Sequence, residues 1–300
     1  MTRSNAFLSL TDVRATIAKL PLVREWEHYD TLRRATLFVF TAFLAVLFLF
    51  PMYWLLKVSL QWPPGSLIGG QPSFLINNPT VYNFIDVFYR INVIQFFWNS
   101  IFIVTLVIVG NLIFNSFAAY ALTMDFRGRK FVFAYLIAAM MIPFQATIIP
   151  AFLVTDQLGL LNTRIGVVLP LSTVIINILI LYNSFDAVPE SVIESARLDG
   201  ASELYILFGI YWPLSKPALA TNIILAFVFA YNAFLWPLVV ITDPALQPLP
   251  MALATLQQKF AGNFALQYAF TIIIVLPMIV LFILLQRQFI RSVVASSVKE

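Results

Sequence analysis

The sequence predicts an all-α membrane protein with six transmembrane helices. Of its 300 residues, 61% are apolar and only 11% are charged. The mean hydropathy is +0.89. A soluble domain has about 45–50% apolar and about 25% charged residues, so this balance suits lipid rather than water. The charges are also clustered, leaving long uncharged windows between them. A charge at the centre of a spanning helix costs about 2.5–3.5 kcal/mol even on an insertion scale, so the clusters mark where spans end.

In chain order, a basic segment of residues 1–34 comes first and is expected on the cytoplasmic side. Leu10, Val13, Ile17 and Leu20 recur there at helical spacing beside Arg14 and Lys19. A short amphipathic helix on the inner membrane surface and a frayed basic tail both account for that pattern. The segment is too long and too charged to start a cleavable signal peptide. Spans are then expected at about 35–57, 97–124, 131–154, 165–185, 218–241 and 266–286, each able to supply the roughly 20 apolar residues a bilayer needs. Together they make a six-helix transmembrane region of residues 35–290, interrupted by a long loop at 186–217 and followed by a tail at 291–300. Pro51, Pro143, Pro150, Pro170, Pro237 and Pro277 fall inside or at the ends of these windows, so the helices are expected to be kinked and packed on one another.

Lys and Arg favour the cytoplasmic flank of a span. Fourteen of the 18 fall in the first 34 residues, in "DFRGRK", in the long loop and from Arg287 to the end. Arg90, Arg164, Lys259 and Lys57 fall on the opposite side. Both termini and the 186–217 loop are therefore expected in the cytoplasm.

Several function classes drop out. The chain has no Cys, and its one His is His28, so thiolate or histidine metal sites and cysteine nucleophiles are not expected. No acidic residue sits well inside a span, whereas an ion-coupled carrier or a membrane enzyme calls for buried ionisable groups. Amides are there instead: Asn111, Asn115, Gln145, Asn177, Asn183, Asn222 and Asn232. The G-x-x-x-x-G-K-[ST] phosphate cradle is absent from the sequence. Energy from nucleotide must then come from another polypeptide.

Attention falls on the long loop, where "ESARLDGASELYILFGIYWPLSKPA" sets five charges between two apolar runs. Pro189 and Glu190 suit a helix start, and Gly200 suits its end. Ser202 can cap a second helix, "ELYILFGIYW", that Pro213 and Pro217 would limit. Ile193, Leu198, Ala201, Leu204 and Leu207 would then form an apolar face in need of a partner's groove.

These residues resemble the EAA loop of the membrane subunits of ATP-binding-cassette importers. Glu194, Ala196, Gly200, Ile210 and Pro213 fit its pattern, with Ser195 in place of the middle alanine. "MMIPFQATIIPAFLVTDQLGLLNTRIGVVLP" and "YNAFLWPLVVITDP" further resemble the carbohydrate-uptake branch and its six-span maltose-type subunit. One departure is Ala233, where that branch commonly has an acid, which weakens any substrate inference from the position.

The resemblance implies a type I importer permease fold in the cell inner membrane and binding-protein-dependent sugar transport. It implies no catalytic residue, metal or cofactor in this chain, with ATP and Mg held by a dimer of separate ATPases. The other implied partners are a second permease, an extracytoplasmic solute-binding protein and the bilayer, without nucleic acid. Glu194, Ser195, Ala196, Asp199, Gly200, Ala201, Ser202, Leu204, Ile210 and Pro213 become the coupling set, with 201–208 as the docking surface. The plain alternative for Glu194 is a solvated helix residue.

For the substrate path, Asn222, Phe229, Asn232 and Trp236 are spaced to share one face of the fifth span. Helix packing accounts for any one of them better. Glycerol phosphate, a polyamine or another small solute are the competing cargoes, and an ion-coupled carrier is the distant alternative.

Overall fold

The computed structural model describes residues 21–62, 74–76 and 78–297. The N-terminal stretch around Leu10, Val13, Ile17 and Leu20 lies outside them, as do residues 298–300 of the tail. Among the described residues the secondary structure is helical, with one isolated bridge between Gln61 and Pro79. The chain divides into two units, Met1–Lys57 and Val58–Glu300.

The first unit is dominated by α1 (Pro21–Ser59), which runs just into the second. Phe38, Phe43, Val46 and Phe48 stand exposed on it, an apolar surface suited to lipid.

The second unit is a helical bundle. Its helices are α2 (Tyr82–Arg90), α3 (Val93–Thr123), α4 (Arg129–Met140), α5 (Ile148–Gln157), α6 (Arg164–Leu171), α7 (Ile175–Asp186), α8 (Glu190–Leu198), α9 (Glu203–Leu214), α10 (Lys216–Tyr231), α11 (Leu235–Val240), α12 (Leu249–Lys259) and α13 (Phe264–Ser297). Central α3 packs against α6, α7, α10 and α12, and α10 also packs against α7 and α13.

Among the described residues, three helical segments are long and apolar enough to cross a membrane unbroken: Arg33–Ser59, Val93–Thr123 and Phe264–Leu284. They coincide with the first, second and sixth expected spans. The third and fourth expected spans are broken helices, bent by 99° between Met140 and Phe144 and by 50° between Leu171 and Ile175. At the first break Pro143 has no N–H to give and disfavours the helical conformation in the residue before it. The fifth expected span is helical only to Tyr231, and the chain restarts at Leu235.

One consequence of proline is visible in atomic detail. Pro170 lies inside α6 and cannot donate to the carbonyl of Gly166 four residues earlier. The Trp236 indole N–H donates to that carbonyl instead, at 3.2 Å.

Two apolar clusters fill the bundle. One gathers Ile103, Val107, Leu171, Phe227, Trp236 and Phe270. The other gathers Ala119, Tyr120, Ile178, Leu181, Phe185, Ile193, Leu207 and Tyr211. Helix α3 contributes to both, and the second cluster anchors the 186–217 loop.

Candidate coupling element

Helix α8 begins after Pro189, whose fixed φ of −58° and ψ of 130° set the entry. Glu190 lies in its first turn and Arg197 in its last, each where the helix dipole favours its charge. At the other end the Gly200 N–H donates to the Arg197 carbonyl and the Ala201 N–H to the Ala196 carbonyl, both at 3.0 Å. This pair of bonds is a Schellman cap, which requires a left-handed residue. Gly200 supplies it with φ of +82°.

Two residues later Ser202 caps α9, its hydroxyl accepting from the Tyr205 N–H at 3.3 Å. The expected helix, tight turn and helix are therefore present. Pro213 does not end the second helix. The wide π turns of Ile206–Tyr211 come first, so the four-residue ladder a proline would disrupt is already interrupted. The chain turns instead at Ser215, and α10 leaves at 89° to α9.

The expected single apolar face is divided in two. Ile193, Ile206, Leu207 and Tyr211 are buried against the chain's own α3 and α7. Ala196, Ala201 and Ile210 pack at the edge of the same cluster. Facing out are Leu198, 89% exposed, Tyr205, 61%, and Leu204, 59%. The continuous 201–208 docking surface is thus corrected, because Ile206 and Leu207 are core residues. Glu194, Ser195, Asp199 and Pro213 are exposed. The Ser195 hydroxyl donates to the Ser191 carbonyl at 2.7 Å.

Polar ties also hold the element. The Tyr120 hydroxyl, near the end of α3, donates to the Glu203 carboxylate. Arg197 joins it through Nε at 3.2 Å and Nη2 at 3.3 Å. Tyr120 first, and then Arg197, hold the Glu203 carboxyl below its ordinary range. Nearby, the Trp212 indole donates to the Ser116 hydroxyl at 3.1 Å. Arg129 at the start of α4 donates to the Tyr182 hydroxyl at 2.9 Å and lies 3.6 Å from Asp186. A cleft of about 770 Å³ runs between these ties, with Asp125, Glu190, Arg197 and Glu203 among its walls. Sequence reasoning missed the Tyr120–Glu203 tie, since nothing local links positions 83 residues apart. Glu203 next to a capping serine was the only hint.

The four path candidates do not lie on one continuous helix. Asn222 is fully buried and donates to the Asn177 carbonyl at 3.3 Å. Trp236 is buried at Gly166 on a different helix. Phe229 is 42% exposed, and Asn232, at the end of α10, turns its amide back to the Val228 carbonyl at 2.8 Å. Asn222 and Phe229 keep their helical spacing, but the expected face does not extend to Asn232 and Trp236, because α10 stops at Tyr231. No group of three or more His, Cys, Asp or Glu suited to a metal occurs among the described residues.

Residues 111–294 match the family described as Binding-protein-dependent transport system inner membrane component. The arabinooligosaccharides transport system permease protein AraQ of Halalkalibacterium halodurans is 34% identical over 267 residues, 87% of this chain and 94% of that one. The lactose transport system permease protein LacG of Rhizobium radiobacter is 28% identical over 254 residues, 84% of this chain and 92% of its own. Among solved structures, a chain of a bacterial ABC transporter involved in the import of the acidic polysaccharide alginate superposes with a TM-score of 0.76. It is 26% identical, and the match covers 86% of this chain and 97% of that one.

Proposed function

The chain belongs to the family of inner-membrane components of binding-protein-dependent transport systems, and we propose that it is the permease subunit of an ATP-driven importer carrying a sugar. An oligosaccharide is the favoured cargo, since the names of these two relatives describe transport of arabinooligosaccharides and of lactose. The subunit performs no chemistry of its own. It lies in the cell membrane with six spans, three of them broken, and with both termini in the cytoplasm.

The observation that carries the reading is the α8–α9 element. Its inner side is built into the bundle through Ile193, Ile206, Leu207 and Tyr211. Its outer side holds Leu198, Leu204 and Tyr205 clear of the chain. Apolar side chains on a charged loop suit a groove on another protein. That protein is the ATPase, which binds ATP and Mg, since the sequence holds no phosphate cradle.

Each residue of the loop then has a role. Glu194, Ser195 and Asp199 give polar contacts at the rim of the groove, and Leu198 and Leu204 enter it. Gly200 and Ser202 fix the angle between the two helices. Ala196, Ala201, Ile210 and Pro213 support the inner side. ATPase closure displaces the element, and the displacement enters the membrane along α7, which leads into it, along α10, which leaves it, and through Glu203 to α3. A second permease completes the path, and an extracytoplasmic binding protein delivers the sugar. Differential binding of nucleotide and loaded binding protein to inward and outward states shifts the population between them.

The test is uptake into proteoliposomes containing this chain, its partner permease and the ATPase, with binding protein and labelled sugars outside. Uptake should require ATP on the ATPase side and should prefer oligosaccharides to glycerol phosphate. Uptake driven by an ion gradient without ATP overturns the reading.

A further inference from the structure

A layer of asparagines separates the two apolar clusters. On α3, Asn111 and Asn115 fall between Val107 of one cluster and Ala119 of the other. Asn177 on α7 falls between Leu171 and Ile178, and Asn222 on α10 between Leu219 and Phe227. All four side chains are at most 1% exposed. They meet one another: Asn115 Nδ2 donates to Asn111 Oδ1 at 2.8 Å, Asn177 Nδ2 to the same oxygen at 2.9 Å, and Asn222 Nδ2 to the Asn177 carbonyl at 3.3 Å. Beside them α3 and the α6–α7 break approach closely, since a Cβ on Gly110 would lie 2.8 Å from Ser172 Oγ.

The layer does not satisfy itself. Asn111 Nδ2 and the Oδ1 atoms of Asn115, Asn177 and Asn222 have no hydrogen-bond partner among the protein's own groups. Turning the amides round only exchanges which atoms are left over, because Asn115 and Asn177 both converge on one end of Asn111. Buried amides of this kind are strongly disfavoured unless something bonds to them. With the amides as they are oriented, the leftover set is three acceptors and one donor. Water suits the chemistry of these atoms, since a buried water makes about three hydrogen bonds and can both give and accept. A cation would repel the Asn111 amide hydrogens, which are left without an acceptor.

We propose that Asn111, Asn115, Asn177 and Asn222 form a binding site for buried water, and that this hydrated layer is the joint at which α3, α7 and α10 shift between the two apolar clusters. Interdigitated apolar side chains resist sliding because each new register must be repacked. Water-bridged amides exchange partners at little cost, since the bridging molecule keeps its bonds as the helices move. The layer also crosses both helices that connect directly to the 186–217 loop, α7 and α10.

The experiment is a density map of the whole importer in lipid nanodiscs, fine enough to show ordered water, recorded once in sodium and once in choline buffer. The same peaks should appear in both, at about 2.7–3.2 Å from Asn111 Nδ2 and from one or more of the three oxygens. Amides repacked to satisfy one another without a peak overturn the proposal, and so does a peak seen in sodium alone. A variant carrying Asn111→Leu, Asn115→Leu and Asn177→Leu provides the second measurement. Replacing both partners of buried pairs with apolar groups of similar shape is near neutral for stability, so the complex should still assemble and bind ATP while uptake is lost. Full uptake in an assembled triple variant overturns the role as a joint. If that variant does not assemble, the map in the two buffers decides.

Discussion

Gly200 gives the sharpest prediction about the coupling element, because its environment isolates one cause. Its φ is +82°, in the left-handed region. A Cβ built there meets no atom within 4 Å. Substitution therefore adds no clash within the chain, and the cost is that of the backbone, about 1–2 kcal/mol for an ordinary L-residue. That corresponds to about a 5–30-fold loss in the population of the turned loop relative to opened forms. Asparagine visits this region readily and should escape most of the cost. Gly200→Asn should thus stay near wild type, Gly200→Ala should fall within that range, and Gly200→Val should be worst because its branched side chain resists the conformation. The assays are hydrogen exchange at the 200 and 201 amides and sugar-stimulated ATP hydrolysis in proteoliposomes. Exchange should accelerate in that order, and coupled hydrolysis should fall with it and vanish in Gly200→Val, while assembly with the partner permease persists. Equal behaviour of Asn and Val, or normal coupling in Val, would refute the reasoning.

Other predictions follow from the same geometry. Leu198→Asp with Leu204→Asp should leave this chain's melting temperature unchanged, since both side chains face outward, but should abolish co-purification of the ATPase. Trp236→Phe should cost about 1–3 kcal/mol by leaving the Gly166 carbonyl unpaired, seen as a lower melting temperature with unchanged sugar preference; an altered preference would return Trp236 to the substrate path. Tyr120→Phe should uncouple partially, with hydrolysis continuing and uptake reduced, because Glu203 loses its link to α3. The Glu203 carboxyl is held below its ordinary range, so its tie is fully present above the unfolded value, about 4.3, and is lost only as pH falls through the lower folded value. Protection of the loop amides, corrected for intrinsic exchange, should therefore stay flat from about pH 8 to about pH 5; a loss of protection in that window contradicts the tie.

Much of the architecture was legible because its signals are local or compositional. Charge-free windows located the apolar helices. Pro189, Gly200 and Ser202 carry their meaning in the backbone, so the two-helix loop could be read residue by residue. Breaks were harder to place: Pro143 signals one, but the stop of α10 at Tyr231 has no proline at hand, and the supposed face joining Asn222 to Trp236 dissolved with it. The apolar residues of the loop misled in another way. Spacing shows that Ile193, Leu204 and Leu207 are apolar, not which of them the rest of the chain covers. Long-range pairings such as Tyr120 with Glu203, or Asn111 with Asn177, depend on helix packing and leave no local trace.

The central claim is that force enters this subunit through the 186–217 loop from a separate ATPase. These 300 residues include no cysteine, so one introduced by Leu204→Cys is a unique reporter within them. In the assembled importer it should cross-link to a cysteine in the ATPase groove, and the cross-link should stop sugar uptake until it is reduced. A cysteine at 204 that stays open to water-borne reagents in the working complex, with uptake unaffected by its modification, would contradict the account.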